Sequence, residues 1–389
     1  MSVIAPDQLV GARSPIYITA NYSALASSIT DITLEVYIWD GARTSKPSSP
    51  QYTLFRDVFA GTDISFDIAP LVREYIEGTY SSTAITAPAI AEDSTVVWVE
   101  VDYDVNYLNK ATPPQTVNDT GSKDIFPACN GYHTFAEGAN YELPSVYLNQ
   151  VDRLYIKETG NEVLPICIGK YGAEDVAEIY YNDGSGDYTI DLTSFHNPTQ
   201  PEGSIIRFPI GATNLTTYLN SLGYTGTTPD ALDSYTLELY SSTVSLDLIT
   251  VEKICEPKYT INTIEFVNRY GAWEHLHCFK ASQDSFEATN EQYRRGVGTS
   301  SASGFTYDAT EGVYQRFNTN GKVRTTLNTG FVEEDYKETI KDLIMSERVM
   351  LNGSPVNVVT NSITLQKSVN DKTINYTIEV EEAFDTRYV

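Results

Sequence analysis

Residues 32–41 read ITLEVYIWDG, residues 52–55 read YTLF, and residues 64–76 read ISFDIAPLVREYI, with polar linkers between them. Ile32, Leu34, Val36 and Ile38 share one parity; Thr33, Glu35, Tyr37 and Trp39 share the other. A period of two with one apolar and one mixed face predicts a sandwich strand whose outer face has its own cover. Asp40-Gly41 is a turn signal. Ile68, Leu71, Val72, Tyr75 and Ile76 then fall at helical spacing. Pro70 suits the first turn, where its missing N–H costs little, and Gly78 suits the stop.

The same order returns further on as VAEIYYNDG (176–184), YTIDL (188–192) and IIRFPIGATNLTTYL (205–219). Asp40-Gly41 answers Asp183-Gly184 at an offset of 143, Phe66-x-Ile68 answers Phe208-x-Ile210 at 142, and Tyr75-Ile76 answers Tyr218-Leu219 at 143. A strand-like block follows each copy, Val96–Val101 in the first and Tyr235–Leu239 in the second. Four blocks in constant order and spacing predict one β-rich module used twice.

Outward from these blocks the chain divides as follows. Residues 1–13 read as an N-terminal arm, 14–104 as the first β-sandwich module, 105–145 as a long loop or linker, 146–258 as its repeat, and 259–389 as a different module. The 105–145 stretch is rich in Asn, Gly, Pro and Thr without periodicity, and loops that long usually mediate interactions. In the last module Thr263–Val267 and Trp273–Phe279 read as a hairpin around Asn268–Gly271. Residues 282–304 are polar and Gly/Ser-rich and are expected to be mobile; Val323–Leu327 is a strand. Glu333-Glu334-Asp335 opens a helix over 333–346 whose buried stripe is Tyr336, Ile340, Leu343 and Ile344. Val356–Val359, Ser362–Leu365 and Ile374–Val380 close the chain, with a turn at Asn370-Asp371. The expected fold is mainly β: tandem β-sandwich modules, each with a short helix, plus a C-terminal β-rich module with one helix.

Composition agrees. The 389 residues are 41% hydrophobic, enough for several cores, and 28 Tyr against 3 Met favour strands. A net charge of −26 repels polyanions, so no specific nucleic-acid binding is expected. Cys129, Cys167, Cys255 and Cys278 have no tight spacing, which fits a reducing compartment and not a disulfide scaffold. No apolar h-region or spanning segment is visible, so neither a signal peptide nor a membrane span is expected.

Chemistry-bearing patterns are sparse. G-x-S-x-G, the P-loop and G-x-G-x-x-G are missing. Carboxylates are too abundant for a glycosidase pair to stand out, and the three Trp are scattered. His275-x-His277 shares one face of a strand, with Cys278 turned away, and Cys129-x3-His133 is the other ligand-like pair. Nothing in the spacing makes these pairs meet, so no metal or cofactor is expected and the two histidines read as sheet residues. Asn182–Asp187 resembles a calcium loop in composition but lacks the downstream Glu, so a hairpin turn is the better reading. The remaining candidates are interface residues: Tyr103, Tyr107, Tyr132, Tyr141 and Tyr293, the last beside Arg294 and Arg295.

SPIYITANYSALASSITDITLEVYIWDG with FDIAPLVREYI resembles the N-terminal part of structural proteins from tailed phages of Bacteroidetes hosts. NTIEFVNRYGAWEHLHCFKAS resembles their middle, and VRTTLNTGFVEEDYKETIKDLIMSERVML with INYTIEVEEAFDTRY their C-terminal module. The likeness covers most of the chain outside 104–145 and 282–304. It implies a non-enzymatic virion component of the tail, baseplate or neck, assembled in the host cytoplasm as a homo-oligomeric ring with other virion proteins. It supplies no catalytic residues. The alternative is a receptor- or carbohydrate-binding adhesion protein. For a ring, the expected contacts are the N-terminal arm, the 104–145 loop and the 282–304 loop.

Overall fold

The computed structural model describes the chain except residues 1, 7, 22–25, 62, 78–79, 82, 91–94, 124, 143–146, 168–177, 197–204, 242–243, 255–257, 309, 363–372 and 385–389. The expected roles of Gly78, Cys255, Ser362–Leu365 beyond its first residue and Asn370-Asp371 therefore lie outside the described residues.

The first module contains β1 (Ser2–Ile4), β2 (Val10–Gly11), β3 (Tyr17–Asn21), β4 (Ala26–Trp39), β5 (Tyr52–Gly61), β6 (Asp63–Asp67), α1 (Ala69–Arg73), β7 (Ala89–Ile90), β8 (Val96–Asn109), β9 (Thr116–Ser122) and β10 (Phe126–Cys129). A small sheet, β1-β3-β6, packs on a large one, β2-β10-β8-β4-β5, with β9 beside β8. Ile16, Ile18 and Phe66 from the small sheet share one core with Leu34, Val36, Val99 and Phe126 from the large. The parity read from the sequence places Ile32, Leu34, Val36 and Ile38 inward. The outer face has its own cover: Trp39 and Trp98 donate from Nε1 to Ala42 O and Gly41 O, and Lys46 sits 3.8 Å over the Tyr37 ring. Gly41 turns at φ 76°, a left-handed conformation glycine adopts freely.

The second module contains β11 (Arg153–Ile156), β12 (Val163–Cys167), β13 (Glu178–Asn182), β14 (Asp187–Asp191), β15 (Ile205–Pro209), α2 (Ala212–Ser221), β16 (Ser234–Tyr240) and β17 (Ser245–Lys253). Its large sheet runs β11-β17-β16-β13-β14 and its small sheet β12-β15-β7. The large sheet repeats the strand order of the first module, including a parallel outer pair, β10 with β2 there and β17 with β11 here; the small sheet differs in its third strand, β1 on β3 there and β7 on β15 here. The matched helices each follow the small-sheet strand and bury one face, Val72 in α1 and Leu215 and Leu219 in α2.

The third module contains β18 (Asn262–Val267), β19 (Trp273–Cys278), β20 (Gln283–Arg294), β21 (Gly298–Ser301), β22 (Gly304–Tyr307), β23 (Tyr314–Glu333), α3 (Tyr336–Met345), β24 (Val349–Leu351), β25 (Ser354–Val358) and β26 (Thr373–Glu382). Seven strands form one sheet, β19-β18-β24-β25-β26-β23-β20, and β21-β22 is a separate two-stranded piece. The helix buries Tyr336, Ile340 and Leu343 as expected, although β23 runs through Glu333, so α3 begins three residues later than expected. Its core is continuous with that of the second module, from Leu164 and Phe208 through Ile264, Phe266 and Leu343.

Four expectations change. The N-terminal arm is built into the first module: β1 pairs with β3, β2 pairs with β10, and Val3, Leu9 and Val10 are buried. The 105–145 stretch is not one loop, because β8 runs on to Asn109 and β9 and β10 extend the same sheet. The backbone satisfies its hydrogen bonds there even though the polar side chains show no period. The first module does not close on itself, since β7 crosses to pair with β15, Ile206 opposite Ile90. Finally, 282–304 is largely strand: β20 pairs with β23 from Gln283 to Arg294.

Candidate functional site

Two places carry features beyond structural support. The first is a cavity of about 290 Å³ where all three modules meet. Its walls are Tyr80, Ser81 and Thr83 from the first module, the 157–163 loop with Ile205 and Arg207 from the second, and one face of β18 and β19. Antiparallel pairing puts Thr263 opposite His277 and Glu265 opposite His275, so these four side chains share that face. The α3 side carries Ile264, Phe266 and Leu276 instead.

Glu162 organises the loop. Its Oε1 lies 3.1 Å from His277 Nε2 and accepts the Lys157 N–H at 3.2 Å. Burial works against its charge, but the His277 hydrogen bond and the pull of His277 and His275 prevail and hold it down at about 2. Burial lowers His275 to about 4, so that ring is neutral near pH 7. Glu265, 6% exposed, is raised by burial despite a hydrogen bond from Tyr80. The Tyr80 and Trp273 rings lie 4.8 Å apart at 59°. Three buried polar atoms in this lining have no hydrogen-bond partner: Glu162 Oε2, Glu265 Oε2 and Trp273 Nε1.

The second place is the hairpin from Gln283 to Lys322. Every residue of β20, β21 and β22 is exposed. Tyr293 and Phe317 stack edge to face at 5.7 Å, as do Phe305 and Tyr307 at 5.2 Å. Phe286 lies over Gly321, where a Cβ would fall 2.2 Å from the ring. Strand β20 is the last in its sheet, so its outer backbone edge pairs with no strand among the described residues.

The sequence-predicted residues separate sharply. Tyr293 and Arg294 are exposed on the hairpin, and Arg295 pairs with Glu311 at 2.6 Å. Tyr103 and Tyr107 are not surface groups: Tyr107 is buried in the first core and Tyr103 packs over Gly121. Long strand β8 continues through both, and its neighbours β4 and β9 cover them. Tyr132 is half-buried and ties modules together; its hydroxyl donates to Asp342 at 3.0 Å, between Arg13 and Arg269. Tyr141 lies half-buried, 6.0 Å from the His133 ring. Asp342 also accepts the Arg269 N–H at 3.2 Å, and burial raises its pKa.

His275 and His277 share a strand face and Cys278 is buried on the other side, both as read; Cys129 Sγ contacts Tyr270 O and Val10 O. Gly271 packs against that thiol; a Cβ there would sit 2.8 Å from the sulfur. Among the described residues no group of three or more His, Cys, Asp or Glu is placed to hold a metal ion. Asn182–Asp187 is the β13–β14 turn. Asp183 accepts the Ser185 N–H, the Tyr224 hydroxyl and the Thr227 N–H, leaving its oxygens occupied within the fold. Among the described residues no helix is long and apolar enough to cross a membrane.

Sequence reading missed the cavity. Its lining comes from positions as far apart as Tyr80 and Gly353, and of these only His275 gave a local signal.

No family model and no curated protein matches the chain. A solved structure described as a Ca2+-stabilized adhesin that helps an Antarctic bacterium reach out and bind ice is similar at 8% identity. The match covers 84% of this chain and 70% of that one at a TM-score of 0.18, too loose to carry an argument.

Proposed function

We propose that this chain is a non-enzymatic structural subunit that assembles with copies of itself into a ring, within the tail, baseplate or neck of a tailed-phage virion. The observation that carries self-assembly is the projecting hairpin. A strand pair exposed on both faces buries no apolar surface of its own, yet this one carries Phe286, Tyr293, Phe305, Tyr307, Tyr314 and Phe317. Its occupant is a second copy, on grounds of charge. The hairpin carries Arg294 and Arg295, the second paired with Glu311, on a chain of net charge −26. An exposed aromatic hairpin that also presents Arg294 can pack on the acidic body of the next copy, a head-to-tail contact of the kind that closes rings. The phage placement rests on the sequence resemblance.

Native mass spectrometry and negative-stain microscopy of the purified chain test the assembly. The expected result is a closed oligomer, lost to monomer when Tyr293, Phe305, Tyr307 and Phe317 are all replaced by Ser. A chain that stays monomeric at high concentration, and in mixtures with the virion proteins encoded beside it, overturns the reading.

A further inference from the structure

We infer that the three-module cavity is a binding site for a neutral polyhydroxylated ligand about the size of one sugar ring. The inference is independent of the ring: the hairpin plays no part in it.

The cavity has room for one small molecule. At about 290 Å³ it falls at the small end of ligand pockets. Its polar demand is specific. Glu162 Oε2 and Glu265 Oε2 are acceptors without donors, and Trp273 Nε1 is a donor without an acceptor. Glu162 and Glu265 are 3% and 6% exposed, so bulk water does not simply solvate them. Leaving such groups empty is costly, and a ligand that fills all three recovers that cost.

The lining discriminates among chemistries. An ammonium or guanidinium ligand satisfies the carboxylates, but leaves the indole N–H empty and meets Lys157 and Arg207 in the same wall. A carboxylate or phosphate satisfies the indole and the cations but meets Glu162 and Glu265. A hydroxyl donates and accepts at once, so adjacent hydroxyls on one ring satisfy both carboxylate oxygens and the indole without net charge. Trp273 and Tyr80 add aromatic surface against which a sugar's C–H face packs.

The walls come from all three modules, so an occupant ties them together. Ligand that binds the folded chain alone raises its unfolding temperature by mass action.

The experiment uses the full chain with D-glucose, D-galactose, D-mannose and N-acetylglucosamine, read by saturation-transfer NMR, tryptophan fluorescence and thermal unfolding. At least one sugar is expected to saturate, to raise the unfolding temperature, and to change the fluorescence. Trp273→Phe abolishes that fluorescence change, because Trp39 and Trp98 lie together in a separate cluster. Glu265→Gln weakens binding about tenfold or more, the effect of losing a charged hydrogen bond. Both variants must unfold near the wild-type temperature without ligand; if either does not, wild-type titration against arginine and acetate decides. Saturation by arginine or acetate in place of the sugars overturns the inference, as does the absence of any sugar response in the wild type. A bacterial polysaccharide ending in the active sugar separates the two sources: competition with the free sugar points to a glycan terminus, and its absence to a free monosaccharide.

Discussion

The twin sandwiches and the Gln283–Lys322 hairpin use the same backbone pairing to opposite ends. In β4 from Asp31 to Val36, and in β16 from Tyr235 to Tyr240, residues alternate between buried and half-exposed, so each strand has an inside. In β20 twelve consecutive residues are exposed, and aromatic side chains point from both faces. Strand β23 contains both regimes: Tyr314–Asn320 belongs to the hairpin, while Leu327 and Val332 lie in the main core. Pairing alone therefore does not stabilise a sheet here. What separates the regions is whether a second layer covers them, and the hairpin lacks that layer within its own chain among the described residues.

The largest expected effect breaks the covered side of this contrast. Phe208 is fully buried between the sheets of the second module, so Phe208→Ala leaves a cavity and costs about 3–5 kcal/mol, measurable by urea unfolding. Next comes a pH effect from a buried acid on the α3 face. Burial pushes Glu274 up to about 8, and it is held by Asn268 and Thr339. The folded chain keeps this proton while the unfolded chain releases it near 4.5. Stability therefore falls as pH rises from 4.5 to about 8, by up to about 1.4 kcal/mol per pH unit, and levels off above. Glu274→Gln removes that component of the slope; an unchanged pH profile refutes the assignment.

A smaller loss is expected at the seam. Asp342→Ala leaves the Tyr132 hydroxyl and the Arg269 N–H without their acceptor, for about 1–3 kcal/mol. The smallest effect on stability sharpens the other side of the comparison. Replacing Tyr293, Phe305, Tyr307 and Phe317 with Ser changes the unfolding free energy of the separated subunit by less than about 0.5 kcal/mol per site. The same change removes self-association by light scattering. A large loss of stability in the monomer means instead that the hairpin packs against its own body.

Local patterns were legible where period and turn chemistry agree. Ile32 to Ile38 fixed a face, Asp40-Gly41 and Asp183-Gly184 fixed turns, and the returning order of blocks fixed the twin modules. Strand β2 was illegible because two residues, Val10-Gly11, show no period; it is recognisable only as the counterpart of β11. Strand β9 was illegible because its residues, TVNDTGS, are polar and lie half in solvent. Tyr103 and Tyr107 were read as surface residues because alternation does not show which faces gain a neighbour.

The sequence by itself determined what depends on residues close along the chain: β class, twin blocks, helix stripes, and an acidic composition with a basic pair at Arg294-Arg295. Tertiary structure decided what depends on distant segments meeting. It carried β7 across to the second module, placed Tyr132 on Asp342, and gathered Tyr80, Glu162, Glu265 and Trp273 around one cavity. Short-range periodicity encodes which face of a strand is apolar; which other strand that face meets is settled by the packing of whole sheets, and no local pattern records it.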